Sequence, residues 1–331
     1  MNYYIESRET DPRYNLALEQ FVFNSLDRSH SYFMLWQNHN SIIVGKHQNT
    51  MAEINAAFVN EHKISVIRRL SGGGAVYHDL GNLNFTFITD AGINNAVNFI
   101  DFCLPVQKAL VSFGVPAEIS GRNDMTVEGK KISGNAQYVK QGRVMHHGTL
   151  LYDSDLEALS KALNVDAGKI ESKGIKSIKS RVANIRPYMK TDMPVGEFWI
   201  ALKKHLFAAF DMKEYKMSAG EEAEIEKIKE NIYSQWSWNY GASPPCNIRK
   251  SRRIENCGAI EILLDVEKEG VIKNIAFYGD FFGNDDTAEL AEILIGRHFE
   301  YNELADIVKN INISRFFHNL DAQTFLDLLF E

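Results

Sequence analysis

Cysteine is scarce in this 331-residue chain, which has three: Cys103, Cys246 and Cys257. An odd number without metal-site spacing argues against a disulfide framework or a zinc cluster and suits the reduced thiols of a cytoplasmic protein. Basic charge is also short. Lys and Arg total 36 against 43 Asp and Glu, a formal net charge of -7, whereas a general binder of nucleic acid or anionic membrane needs the opposite balance. No apolar run approaches membrane-spanning length, and the start, MNYYIESRETDPRYN, does not resemble a signal peptide. Neither nucleic acid nor membrane is expected as a partner.

Apolar residues, by contrast, are plentiful. At 45% hydrophobic content the chain can bury a large core, and its length suits two domains. The most informative stretch is RRLSGGGAVYHDLGNLNFTFI at residues 68–88, which joins two adjacent cations to three glycines and then to a strand. Consecutive glycines let backbone amides approach an anion, and arginines donate charge-assisted hydrogen bonds to its oxygens. No Gly-Lys-Ser/Thr closes the loop, and its spacing is not that of the dinucleotide fingerprint. Leu83, Phe85 and Phe87 alternate with Asn84, Thr86 and Ile88, so the loop is expected to join two strands. On this stretch alone, a phosphate or carboxylate site and a glycine-rich hairpin with solvated arginines are both open readings.

Upstream, Asp11-Pro12 reads as an N-cap and first helical turn, with Leu18, Phe21, Val22 and Ser25 on one face. Residues 32–35 and 41–44 read as a strand, a turn through Gln37-Asn38-His39-Asn40, and a strand; residues 64–67 add another. Over residues 97–113, Phe99, Cys103, Val106, Leu110 and Phe113 recur at helical spacing, with Pro105 marking a kink or a later start. Strands at 125–127 and 145–152 follow, with a turn at Glu128-Gly129-Lys130. Short mixed strands with helices between them indicate an α+β or α/β catalytic domain.

The basic run KGIKSIKSRV at residues 173–182 could hold phosphates or an acidic protein face, or be a solvated surface. Helices at 195–211 and 221–235 follow from the register of Phe198, Leu202, Leu206 and Phe210 and of Ile225, Ile228 and Ile232. Residues 241–255 hold paired prolines and four cations (Arg249, Lys250, Arg252, Arg253) with little periodicity. They are expected to link a catalytic domain at 1–240 to a small ββααα accessory domain at 256–331.

Six blocks in order resemble the lipoate-protein ligase family: FMLWQNHNSIIVGKHQN from Phe33, RRLSGGGAVYHDLGNLNFTF from Arg68, GRNDM from Gly121, KKISGNAQ from Lys130, HHGTLL from His146 and KSIKSRVANI from Lys176. The resemblance covers nearly the full chain. It implies an α+β fold: a large biotin/lipoyl ligase-like catalytic domain with a mixed β-sheet and flanking helices, and a small α+β C-terminal domain. It also implies a reaction in two steps. Lipoate and ATP, with Mg2+, give lipoyl-AMP and pyrophosphate; a lysine of a lipoyl domain then takes the lipoyl group and releases AMP. The implied acceptors are the lipoyl domains of 2-oxoacid dehydrogenase E2 subunits and the glycine cleavage H protein, and a monomer is expected.

Carried over residue by residue, Lys131 falls on the family's essential lysine. Its implied role is electrostatic, because the lipoate carboxylate and the α-phosphate repel unless a cation lies between them. Arg69 is implied to hold the nucleotide phosphates and, with Ser71, to border the lipoyl end. Gly74, Ala75, Val76 and Tyr77 should meet the adenylate through their backbone, with Asn84 beside them, and Asp124 is a candidate for the adenylate or for Mg2+. His147 either lines the lipoyl pocket or is a hydrogen-bonded strand histidine, and His146-His147 has no third metal ligand nearby. His78 and Asp79, adjacent on a strand, point to opposite faces and cannot pair directly. Leu16 and Val44 are expected as apolar walls, with Tyr138 at the edge. Some ligases of the family carry an arginine at the position of Tyr138, so its contacts must come from elsewhere.

Rival functions also make definite demands. A lipoyl or octanoyl transferase needs a cysteine nucleophile and no ATP, but Cys103 sits on an expected core helix and Cys246 and Cys257 lie in or beyond the linker. A biotin ligase has a different glycine-loop pattern. A non-enzymatic lipoate-binding protein would not need Lys131 and Arg69 intact. The family resemblance further implies a large rotation of the small domain about the linker.

Overall fold

The computed structural model describes residues 1–90, 98–121, 123–164, 181–241, 248–267 and 270–330. Its strands are β1 (Asn2–Glu6), β2 (Ser31–Trp36), β3 (Ser41–Val44), β4 (Ser65–Arg68), β5 (Val76–His78), β6 (Asn82–Asp90), β7 (Glu118–Ser120), β8 (Asp124–Val127), β9 (Lys130–Lys140), β10 (Arg143–Leu151), β11 (Met212–Glu214), β12 (Ile248–Ile254), β13 (Gly258–Val266) and β14 (Ile272–Gly279). Eight of them form one mixed sheet in the order β11-β1-β2-β6-β10-β9-β8-β7. The fold is α+β.

The helix Pro12–Ser25 starts where expected, with the Asp11 side chain accepting from the Arg13 amide. Leu18, Phe21 and Val22 are buried, but Ser25 is exposed, so the buried stripe does not reach the last turn. The helix Phe99–Ser112 runs through Pro105, capped by Asn98; residues 91–97 lie outside the described residues. The helix Val195–Phe210 covers the same sheet, burying Phe198, Trp199, Leu202 and Leu206 in a core with Phe33, Phe85 and Leu110.

Strands β2 and β3 form where expected, and they lie in different sheets, β3 in a separate one of order β4-β3-β5. Residues 37–40 bond to the start of the first helix: the Gln37 carbonyl accepts from Asn15 Nδ2 at 2.8 Å, and the His39 amide donates to the Thr10 carbonyl at 2.8 Å. The glycine loop does join two strands, β4 and β5, but these flank β3 rather than pair with each other.

One expectation needs correction, the extent of the linker. Residues 248–254, expected within it, are strand β12, paired antiparallel with β13 along its length. The C-terminal part is therefore a β12-β13-β14 sheet with the helices Thr287–Leu294, Tyr301–Val308 and Ala322–Phe330. Strand β12 escapes periodicity because it is an edge strand whose charged residues protect an open side. Residues 173–180 of the basic run, and Cys246, lie outside the described residues.

Candidate active site

Residues directly opposite on paired strands share a face of the sheet. Strand register therefore sets Trp36, Asn84 and Thr149 in one row across β2, β6 and β10, and Thr86, His147 and Ala136 in the next across β6, β10 and β9. Trp36, Asn84, His147, Ala136 and Thr149 line a cleft of about 660 Å³, which the glycine loop and β5 close with Arg69, Gly74, Ala75, Val76, Tyr77 and His78. That volume lies within the ~300–1,000 Å³ usual for small-molecule sites.

Lys131 enters this cleft from β9 and meets Asp124 of β8, Nζ to Oδ1 at 2.8 Å, with both side chains about one-third exposed. The contact is an ion pair off hydrogen-bond angle, which leaves Asp124 Oδ1 with unspent acceptor capacity among the described residues. The Lys131 backbone is clasped by the next segment: its amide donates to the Arg181 carbonyl at 2.8 Å, and its carbonyl accepts from the Ala183 amide at 2.9 Å. A Cβ on Gly134 would stand 2.8 Å from Lys131 Nζ, so this glycine reserves the ammonium's space.

The two adjacent arginines do different work. Arg68 is buried, and its guanidinium donates to the carbonyls of Gly45, Lys46, Gln48, Trp238 and Asn239 and to Thr50 Oγ1. It is a structural clamp, not an anion ligand. Arg69 lines the cleft, yet its donors close the loop on itself: Nε to Ser71 Oγ at 2.9 Å, and the terminal nitrogens to the carbonyls of Ile43, Gly72 and Gly74. Burial pushes its pKa down to about 10, so it stays cationic at neutral pH.

Behind the cleft lies a chain of hydrogen bonds. Trp36 Nε1 donates to Thr86 Oγ1, and Thr86 donates to Glu19. Glu19 also accepts from His147 Nδ1 at 3.0 Å, which leaves His147 Nε2 to accept from Ser71 Oγ at 2.6 Å. Ser71 is therefore buried one bond behind the surface, joining Arg69 to His147. Glu19 was missed by sequence reasoning, although an acid three residues from both Leu16 and Val22, on the buried face of a helix, is a visible signal.

Most expected site residues meet here, and Leu16 lines the cleft as expected. Val44 does not, being fully buried in the core of the small sheet. Tyr138 does not either. It lies two residues beyond Ala136 on β9 and packs on Phe23, ring centroids 5.0 Å apart, so its expected lipoate contact has no geometric support. His146 faces away from His147, stacked on Phe102, and no group of three or more His, Cys, Asp or Glu among the described residues is placed to hold a metal ion. Asp79 accepts from the amides of Gly81 and Asp155, consistent with no His78–Asp79 dyad.

The C-terminal part supplies a wall that the sequence did not reveal: Arg253, Asp280 and Phe282 line the cleft. The Gly73 amide donates to the Phe281 carbonyl, the Gly279 amide donates to the His47 carbonyl at 2.7 Å, and Lys46 Nζ meets Asp286 at 2.7 Å. A Cβ on Gly72 would stand 2.3 Å from the Phe281 carbonyl oxygen. In this conformation the middle glycines are required by close approach of the other part of the chain.

Similarity to known proteins agrees with this construction. Residues 11–207 match the lipoyl protein ligase A/B catalytic domain, and residues 243–329 match the bacterial lipoate protein ligase C-terminus. The chain is 46% identical over 323 residues to lipoate-protein ligase LplJ of Bacillus subtilis, covering 97% of each, and 40% identical to lipoate-protein ligase 1 of Staphylococcus aureus, covering 99% and 100%. Among solved structures, P. falciparum LipL1 in complex with lipoate superposes with a TM-score of 0.80 at 26% identity, over 99% of this chain and 97% of that one. A bi-partite lipoate protein ligase from Thermoplasma acidophilum, described with its E2 lipoyl domain, gives 0.63 at 26% identity, over 75% and 99%. The chain belongs to the lipoate-protein ligase family and is an enzyme of that class.

Proposed function

We propose that this ligase activates free lipoate with ATP to lipoyl-AMP and passes the lipoyl group to a lysine of a lipoyl domain, on an E2 subunit of a 2-oxoacid dehydrogenase or on the glycine cleavage H protein. The observation that carries it is Lys131, an ammonium with its space reserved, in one cleft with the half-buried residues Gly74, Ala75 and Val76. In the first step the ammonium lies between the carboxylate and the α-phosphate and offsets the charge that gathers as they join. Arg69 borders the phosphates, Gly74 to Tyr77 and Asn84 hold the adenylate, and His147, held from behind by Ser71, borders the lipoyl group. Mg2+ would be carried mainly by ATP's own phosphates, with Asp124 as the protein carboxylate, and would neutralise their charge. In the second step the anhydride is already activated, and the site mainly positions the incoming amine.

A transferase working through a cysteine fits less well. Cys103 is buried, and burial pushes its thiol up to about 12, although His146 Nε2 lies 3.8 Å away; Cys257 is sealed in the C-terminal core. These unreactive thiols are consistent with the cytoplasm as the working compartment. Pyrophosphate release from ATP tests the proposal. Release that requires lipoate is the expected result, and release indifferent to lipoate would refute it.

A further inference from the structure

His78 holds a donor that nothing among the described residues accepts. It is 3% exposed and lines the cleft, and its Nε2 has no hydrogen-bond partner among the described residues. Its protonation can be worked out from its neighbours. Asn15 Nδ2 faces the carbonyls of Glu9 and Gln37, which only accept, so that atom is the nitrogen; it has two protons and no acceptor capacity, so the Asn38 atom 3.0 Å away is the oxygen, sharing those protons, because a nitrogen there would face a nitrogen. Asn38 then turns its own Nδ2 toward His78 Nδ1, at 3.1 Å. Nδ1 must accept, and the ring proton therefore sits on Nε2. Burial, with the charge of Arg69, pushes the ring's pKa down to about 3, so it is neutral wherever the enzyme works.

The position of this donor says what it can meet. His78 packs edge-on against Trp36 of β2, centroids 6.1 Å apart, and β2 lies three strand spacings from the β9 of Lys131, about 14 Å at ~4.8 Å each. An acid whose carboxylate sits at Lys131 brings its far end toward β2, among Leu16, Trp36 and Ile43. In lipoate that far end is the dithiolane, whose sulfurs are weak acceptors. In a straight-chain acid it is a methyl group. We propose that His78 is a specificity residue: its Nε2–H donates to a dithiolane sulfur, and this contact favours lipoate over octanoate. The inference rests on the ligase reading with the carboxylate at Lys131. A buried N–H left facing a methyl group is costly, whereas even a weak acceptor relieves it, which corresponds to a preference of roughly tenfold.

The test measures kcat/KM for acid-dependent pyrophosphate release with lipoate and with octanoate. In His78→Leu, lipoate should lose about tenfold while octanoate holds, which brings the ratio near one. Asn38→Asp keeps the shape but reverses the bond: the ring proton moves to Nδ1, which donates to the carboxylate, and Nε2 becomes an acceptor. The ratio should then collapse near neutral pH and recover as pH falls and the ring gains a second proton, against the opposing charge of Arg69. A structural role would lower both acids in parallel and show no such recovery. An unchanged ratio, or a parallel loss in both variants, with lipoate-dependent release intact would overturn the inference and leave the ligase reading standing. No acid-dependent release from the wild type would overturn both. Should the variants fail to fold, 15N spectra of the wild-type histidines decide: a His78 Nε2 signal moved by lipoate and not by octanoate supports the contact, and one moved by neither refutes it.

Discussion

The two parts of the molecule bury different things. In the part built on the eight-stranded sheet, Glu19, Arg68, Arg69, His78, His146 and His147 are all buried, whereas in the C-terminal part Thr287 is the one buried polar side chain among the described residues. Its core is Phe281, Phe317 and Phe325 with Ile and Leu around them. Burying polar groups is costly unless they are paired. The first part meets that cost with hydrogen-bonded chains, and three of its orphaned atoms, His78 Nε2, Asn84 Nδ2 and Asp124 Oδ1, belong to residues that line the cleft. The comparison locates the chemistry in the first part and assigns the second to presenting Arg253, Asp280 and Phe282.

The largest effect should come from Lys131→Ala. Loss of the one ammonium between two anions should lower pyrophosphate release by roughly a thousandfold or more, with the melting temperature unchanged. Wild-type release in that variant would remove the distinction between the two parts. Arg68→Ala should do the reverse, acting on stability. Its guanidinium satisfies five carbonyls and a hydroxyl, and stranding those buried acceptors should cost roughly 3–5 kcal/mol in urea denaturation.

Gly72→Ala should act between the parts. The new methyl group meets the Phe281 carbonyl, so the C-terminal part must shift. Faster hydrogen exchange at the Gly279 amide, which donates to His47, is expected, with pyrophosphate release altered only several-fold. Unchanged exchange would mean that the glycines serve only the cleft.

The smallest effect concerns Lys46 and Asp286. Burial works against the Asp286 charge, but Lys46 and the Ala288 amide outweigh it and hold the carboxyl below its ordinary range. A carboxylate depressed in the folded state stabilises above its unfolded pKa and loses that contribution as pH falls through the folded value. Docking should therefore loosen in acid below about pH 4. Asp286→Asn should abolish that pH dependence, at under about 1 kcal/mol, because the Asp286 side chain is 45% exposed. Exchange at the Gly279 amide across pH in both proteins measures it.

How much of this could be read beforehand follows the same division. Lys131, Arg69 and the glycine loop were legible because local runs carry them, and the helix at Pro12 because its cap is local. The separate roles of Arg68 and Arg69 were not, since they depend on carbonyls supplied from Gly45 to Asn239. Strand β12 was hidden by the charge of an edge, and the expected contact of Tyr138 followed the family resemblance, which gives a position in the sequence but not how far the cleft extends along β9. The wall from Arg253, Asp280 and Phe282 arises from docking, which no local pattern encodes.

The ligase reaction is tested by the intact mass of an apo lipoyl domain incubated with this protein, free lipoate and Mg-ATP. A single lipoyl increment on the domain that requires ATP and disappears with Lys131→Ala is predicted. An increment formed without ATP, or only from an acylated carrier protein, would contradict it.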